Sequence, residues 1–307
     1  MDKTRNNFDN ILNKITKELN ISITKITESP KGMDSEIVSF LDENNKEYVV
    51  KIGEGVEMDI RAYDLIKKNN LNIPIPKVYL KASIDDIPVL VMEKIQFPLL
   101  ESVAKEEIPL YIPSMIESLR VIHSIGSDRV GYITNNDERR NWKEFHLSKF
   151  DSTDEYLKWD EISKRKGLDK DLILKSVDMY ISKFLKVGIR EDNYCLLHTD
   201  YNQRNLFVNP KTNNIAGIID WGESMFGDPI YDFSRIRMLI WHFDLGDKVV
   251  DEYYSLMSYT KEEKELDELY WVSRIIEYLA YYSEELNEFN RGRIEMHEGF
   301  LRGYVDL

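Results

Sequence analysis

One stretch constrains this 307-residue chain more than any other: two apolar runs, at 194–197 and 206–208, flank the polar segment "HTDYNQRN". Apolar runs this short, bounded by turn-forming residues, read as buried strands, so the polar residues sit on a loop held by two rigid elements. Catalytic groups are often carried this way. The second run leads into "NPKTNN", rich in turn residues, and then into "IAGIID", a further strand. The pattern predicts an antiparallel hairpin.

A hairpin here has a geometric consequence. Asn205 precedes the first strand and Asp220 follows the second, and antiparallel pairing brings such ends to roughly 5 Å in backbone terms. An amide oxygen and a carboxylate then face one point. Oxygen ligands of this kind suit Mg²⁺, which takes one or two carboxylates and fills its shell with water and phosphate. Asp200, on the same loop, is placed to accept a proton from an attacking hydroxyl. His198, Asp200 and Asn205, followed by Asp220-Trp221-Gly222, match the order of the protein-kinase signature. They supply what phosphoryl transfer needs: a base, a metal-binding amide and a metal-binding carboxylate. With Asp200 as the base, His198 reads as a neutral core histidine holding the loop backbone.

The rest of the chain divides by texture. Phe8, Ile11, Leu12, Ile15 and Leu19 recur at helical spacing. "EIVSFL" and "EYVVKI" read as strands joined by a polar turn, 59–69 as a helix, and "IPVLVMEKI" as another strand. "NIPIPKV" ends the helix, because a residue before proline is pushed to extended geometry. Beyond Pro98 helical patterns dominate, at 112–125, 154–164, 169–187 and most of 228–301. The fold class is therefore α+β, with a small β-rich N-terminal lobe at 1–92, a hinge at 93–98 and a larger, mainly helical lobe at 99–307. Lys51, on the predicted strand "YVVKI", is the lysine that would hold the α/β-phosphates, and its acidic partner is Asp59 or, alternatively, Glu57. Gly32, Asp34 and Ser35 lie where a phosphate-covering loop belongs, although a plain hairpin turn explains them equally well.

Composition narrows the partners. At 42% hydrophobic and 31% charged residues, the chain is globular rather than disordered. No apolar run approaches a membrane span and the N-terminus has no apolar leader segment, so no membrane association is expected. A single cysteine, Cys195, permits no intrachain disulfide and fits a reducing cytoplasm, where a monomer is expected; the residue reads as a small buried hydrophobe. A net charge of −14 argues against nucleic acid and is compatible with a cationic substrate.

"HTDYNQRN" followed by "IIDWGESMFGDPIYDF" resembles the aminoglycoside phosphotransferase and choline-kinase-like family, which shares the two-lobed protein-kinase-like fold. "IDWGESMFGD" looks especially like hygromycin-type phosphotransferases. The resemblance implies a kinase that uses Mg²⁺ and ATP or GTP, with Asp200 as catalytic base, Asn205 and Asp220 as metal ligands and Lys51 as the phosphate lysine. It sets adenine against the backbone of Glu93 and Ile95, behind Met92, and gives Asp232 a bracing role under the catalytic loop. Many members carry glutamate where Asp59 stands. The expected acceptor is a hydroxyl of an aminoglycoside-like cationic small molecule. The alternatives are a metabolic kinase of choline, homoserine or sugar type, and a non-catalytic nucleotide-binding regulator. Glu223, Glu277, Glu284 and Glu285 are candidate amine contacts. Trp271, Ile275, Tyr278 and Tyr282 form an aromatic stripe that is either pocket wall or core. Asp228 and Pro229 read as the start of a helix.

Overall fold

The computed structural model describes residues 3–28, 35–134, 141–151, 157–189 and 193–306. Gly32 and Asp34 lie outside these residues, as does the start of the helix expected at 154–164, of which Trp159–Ile162 is seen. The chain forms two compact units. The first comprises 1–125, 132–135 and 198–224; the second comprises 126–131, 136–197 and 225–307.

The first unit is built on a five-stranded antiparallel sheet: β1 (Ile23–Glu28), β2 (Glu36–Asp42), β3 (Glu47–Ile52), β4 (Val78–Ile84) and β5 (Ile87–Glu93), in the spatial order β1-β2-β3-β5-β4. Helix α1 (Lys3–Leu19) lays Ile11, Leu12 and Ile15 against Phe40, Tyr48, Val50, Ile52, Val89 and Val91. Side chains alternate across a strand, so Val50 and Ile52 on this face put Lys51 on the other.

Helix α2 (Val56–Lys68) buries Val56, Asp59, Ala62, Tyr63 and Ile66, a helical stripe with one carboxylate in it. The helix begins three residues earlier than the pattern predicts, directly after Gly55. Strand β4 was not expected. Asp85 and Asp86 turn it into β5 with φ of 52° and 65°, the left-handed pair of a two-residue hairpin turn. Beyond the sheet, helix α3 (Ile112–Ile122) packs near the hairpin of Leu206–Asn209 and Asn214–Ile218, which pairs antiparallel. Its tie is the Ser114 hydroxyl, which accepts the Ile215 N–H at 2.9 Å.

The second unit is mainly helical. Lys170–Phe184, Pro229–His242, Lys261–Tyr282 and Glu288–Val305 pack on one another. Asp228 caps the second of these, accepting the Ile230 N–H at 2.9 Å, with Pro229 as first helical residue. A three-residue strand, Met225–Gly227, pairs with Tyr194–Leu197; it is too short to leave a periodic trace in the sequence. Among the described residues no helix is long and apolar enough to cross a membrane.

Candidate active site

The first unit gathers most of the residues singled out by sequence. Lys51 leaves β3 on the face toward α2 and donates to Asp59 Oδ2 at 2.9 Å and to Asp220 Oδ1 at 2.7 Å. Glu57, the other helix acid, is turned away and bonds Arg61 at 2.8 Å. The buried stripe of α2 contains position 59 and excludes position 57, which explains the choice. The Lys51 and Asp59 side chains are 9% and 2% exposed, whereas that of Asp220 is 48% exposed. Burial alone would lower the Lys51 ammonium, but the carboxylates of Asp59 and Asp220 outweigh it and hold it above its ordinary range.

The loop 198–205 is closed by its own hydrogen bonds. Asn205 Nδ2 donates to the Asp200 carbonyl at 2.9 Å and to Asp200 Oδ2 at 2.8 Å. The base candidate and the metal-binding amide are therefore in direct contact. The fully buried His198 places Nε2 3.0 Å from the Ile219 carbonyl and packs on Trp221 with ring centroids 4.6 Å apart. The hairpin ends meet as well, with Ile219 N–H donating to the Asn205 carbonyl at 3.0 Å. Two residues here occupy left-handed backbone, Thr199 at φ 64° and Asp220 at φ 67°. For a β-branched residue such a φ is costly, and such strain concentrates at functional sites. Thr199 is held by its hydroxyl, which donates to the Glu223 carbonyl at 2.8 Å.

Lys51, Asp59, Asp200 and Asp220 line one cavity of about 600 Å³. Ser35 and Ile37 wall it on the sheet side, and Gly222 and Glu223 follow the Asp220 carboxylate. Glu54 and Gly55, at the start of α2, complete it and were not singled out by sequence, because a loop acid between two glycines carries no pattern. Met92, Glu93, Ile95 and Asn205 are not among its walls. Glu93 ends β5, donating its N–H to the Lys77 carbonyl at 2.9 Å and accepting the Lys77 N–H on its side chain at 2.8 Å. Ile95 packs over Gly217 of the hairpin, where a Cβ would collide with it. Five carboxylates against one lysine make the cavity strongly acidic.

Oxygen donors dominate this set. Among the described residues, no group of three His, Cys, Asp or Glu could by itself hold a metal ion.

Other candidates are employed elsewhere. In the second unit, Glu277 faces Lys149 at 3.6 Å and Arg274 at 3.3 Å, so its charge is already matched. Trp271 and Ile275 are buried in the core, and Tyr278 accepts a bond from Arg235 at 2.8 Å. Cys195 is buried, and burial pushes its thiol far up, which leaves it inert as a nucleophile. Asp232 is fully buried.

The fold is that of small-molecule kinases built on the protein-kinase-like plan. A thermostable mutant of aminoglycoside phosphotransferase APH(4)-Ia, in ternary complex with AMP-PNP and hygromycin B, matches with a TM-score of 0.70 at 17% identity, over 96% of this chain and 97% of that one. ADP-bound aminoglycoside phosphotransferase APH(2'')-Ib matches with a TM-score of 0.65 at 19% identity, over 97% and 98%. The amicoumacin kinase hAmiN, in complex with AMP-PNP, Ca²⁺ and Ami, matches with a TM-score of 0.64 at 13% identity, over 98% and 96%. Comparison with curated proteins gives no match. The model of the phosphotransferase enzyme family matches residues 25–266, and the chain belongs to that family. It is a phosphotransferase with an alcohol group as acceptor.

Proposed function

We propose that this chain transfers the γ-phosphoryl group of ATP or GTP, with Mg²⁺, to a hydroxyl of a cationic, aminoglycoside-like small molecule. The observation that carries the reading is the cavity itself. It joins a lysine held between two carboxylates to an aspartate locked against an asparagine, with Glu54 and Glu223 as further acids in its walls. Nucleotide complexes of APH(4)-Ia, APH(2'')-Ib and hAmiN on the same fold support the co-substrate, and the hygromycin B complex supports the acceptor class.

In this reading Lys51 binds the nucleotide phosphates, and Asp59 keeps it charged and aimed. Ser35 lies beside the phosphates, while Met92 and the backbone of Glu93 and Ile95 receive the base. Residues 1–92 thus serve the nucleotide, 93–98 act as hinge, and 99–307 carry the catalytic loop and the acceptor. Asn205 and Asp220 would hold Mg²⁺, which neutralises charge on the phosphates when bound. Asp200 orients the acceptor hydroxyl and takes its proton as the oxygen attacks phosphorus. The contact from Asn205 fixes the Asp200 carboxylate for that task. The acidic cavity raises the local concentration of amine-bearing acceptors.

The test is a panel of aminated and neutral hydroxyl compounds scored by ADP or GDP release. Turnover is expected with aminocyclitol-type amines. Turnover confined to neutral sugars or homoserine would replace the acceptor assignment, and nucleotide binding without any transfer would make the chain a regulator instead. Asp200→Asn should lower kcat by about 10²–10⁴ while leaving the nucleotide KM nearly unchanged, the signature of a group acting mainly in the transition state. Near wild-type kcat in this variant would remove Asp200 from its role.

A further inference from the structure

Thr199 stands apart among the residues that adopt left-handed backbone. Ten non-glycine residues among those described have positive φ: eight are Asn or Asp, one is Ser258, and Thr199, at φ 64°, is the one with a branched Cβ. Short polar side chains enter this region with little penalty, whereas a branched one crowds its own backbone. Thr199 is therefore held there against its own preference. Its side chain is buried, and its hydroxyl donates to the Glu223 carbonyl at 2.8 Å. We propose that Thr199 is a positioning residue for Asp200: its hydroxyl ties the start of the loop 198–205 to the turn beyond Asp220, and so fixes the direction in which the chain enters Asp200. The role of Asp200 in the reaction rests on the kinase reading above; the tie does not.

The tie completes a set. His198 Nε2 lies 3.0 Å from the Ile219 carbonyl, and the Ile219 N–H donates to the Asn205 carbonyl at 3.0 Å. Both of these contacts reach the segment before Asp220. Thr199 reaches it after Asp220, at Glu223, within a turn closed by the Ser224 N–H on the Trp221 carbonyl at 3.1 Å. The segment that carries Asp220 is thus held on both sides to the loop that carries Asp200.

Asp200 is in turn fixed from two directions. Asn205 holds its carbonyl at 2.9 Å and its carboxylate at 2.8 Å from the C-terminal side of the loop. The Thr199 backbone sets it from the N-terminal side. A return of Thr199 to negative φ would swing Asp200 away from that asparagine, because one backbone rotation moves all that follows it. Misplacing a reacting group by about 1 Å can cost on the order of 10²-fold in rate.

Three variants of the full chain separate the hydroxyl from the branch. Thr199→Val keeps the branched shape and loses the donor. Thr199→Ser keeps the donor and loses the branch. Thr199→Gly loses both and takes up positive φ freely. Steady-state kinetics are measured with Mg²⁺ and the nucleotide and acceptor that turn over fastest in the panel above. Thr199→Val and Thr199→Gly are expected to lower kcat about 10–100-fold with the nucleotide KM within about twofold of wild type, and Thr199→Ser to recover most of that loss. In the Asp200→Asn background, Thr199→Val should cost less than about threefold, because the group it positions is already gone.

Full additivity with Asp200→Asn would overturn the proposal, as would wild-type kcat in Thr199→Gly. A kcat loss matched by a loss of nucleotide affinity would overturn it too, since a hydroxyl that merely supports the fold acts on both. Should Thr199→Val not fold, the glycine variant, whose backbone is relaxed, carries the same expectations. A wild-type chain that transfers no phosphoryl group to any acceptor would sink the kinase reading instead. Amide hydrogen exchange across residues 200–205, resolved by NMR, then decides the tie: exchange faster in Thr199→Gly than in Thr199→Ser upholds it, and equal exchange refutes it.

Discussion

Asp220 and Thr199 show what a residue-level reading reaches and where it stops. The chemistry of Asp220 is visible in the sequence, since an aspartate after a predicted strand and before Trp-Gly suggests a metal carboxylate. Its left-handed backbone is not visible, nor is that of Thr199, because both depend on partners far along the chain. Lys51 and Asp59 are eight residues apart and carry local signals, a strand lysine and an acid in an apolar stripe. Glu54 had no such signal. Two predictions belong at this scale. Asp220→Ala should abolish most turnover and weaken Mg²⁺-dependent nucleotide binding in calorimetry, whereas Asp200→Asn should leave that binding intact; equal losses in both would erase the division of roles. The Tyr63 hydroxyl is buried with no hydrogen-bond partner among the described residues. Tyr63→Phe should therefore change stability by less than about 0.5 kcal/mol, or raise it, in denaturant titration. A loss above about 2 kcal/mol would show that the hydroxyl has a partner after all.

At the scale of elements, legibility followed pattern length. The two long β signals around "SFL" and "VVK", the hairpin after Asn205 and the long C-terminal helices stand out because apolar periodicity runs through each. Strand β4 is hard to read because "VYLKASI" alternates weakly, although the Asp85-Asp86 pair that closes it is a turn signal. The Met225–Gly227 strand is illegible because three residues carry no period. Gly227 also has a packing role that its sequence neighbours conceal. A Cβ at Gly227 would run into the indole of Trp142, which is fully buried. That indole cannot easily yield: its Nε1 donates to Tyr270 Oη at 2.6 Å, and Tyr270 in turn donates to Asp228, the cap of the following helix, at 3.1 Å. Gly227→Ala should thus destabilise the protein by about 1–3 kcal/mol, the usual cost of overpacking, and Trp142→Phe in the same chain should recover part of it. A Gly227→Ala variant as stable as wild type in urea titration would show that the indole has room to move.

For the molecule as a whole, the buried titratable groups set how stability follows pH. Asp267 is fully buried; burial pushes its carboxyl up to about 7, against the Tyr253 and Tyr254 hydroxyls, which donate to it at 2.9 Å and 3.1 Å. An aspartate in the unfolded chain titrates near pH 3.9. Between those values the folded state holds the extra proton, so the contribution of Asp267 to stability falls as pH rises from about 4 to 7 and is constant above. Two buried histidines work the other way. Burial lowers His297 to about 4 and lowers His146 well below its ordinary value, so over the range below about 6.5 the unfolded chain takes up protons first and stability rises with pH. The opposing slopes should partly cancel and leave wild type with a shallow profile through this range. Asp267→Asn removes one side of the balance while keeping an amide oxygen for a tyrosine hydroxyl. The stability of this variant relative to wild type should grow as pH rises from about 4 to 7, by roughly 1–4 kcal/mol, and then level off. Denaturant unfolding of both proteins across that range measures the difference directly. A constant offset at every pH would mean that Asp267 ionises in the folded protein much as it does in the unfolded chain, and that the two tyrosine hydroxyls stabilise its charge enough to cancel the cost of burial.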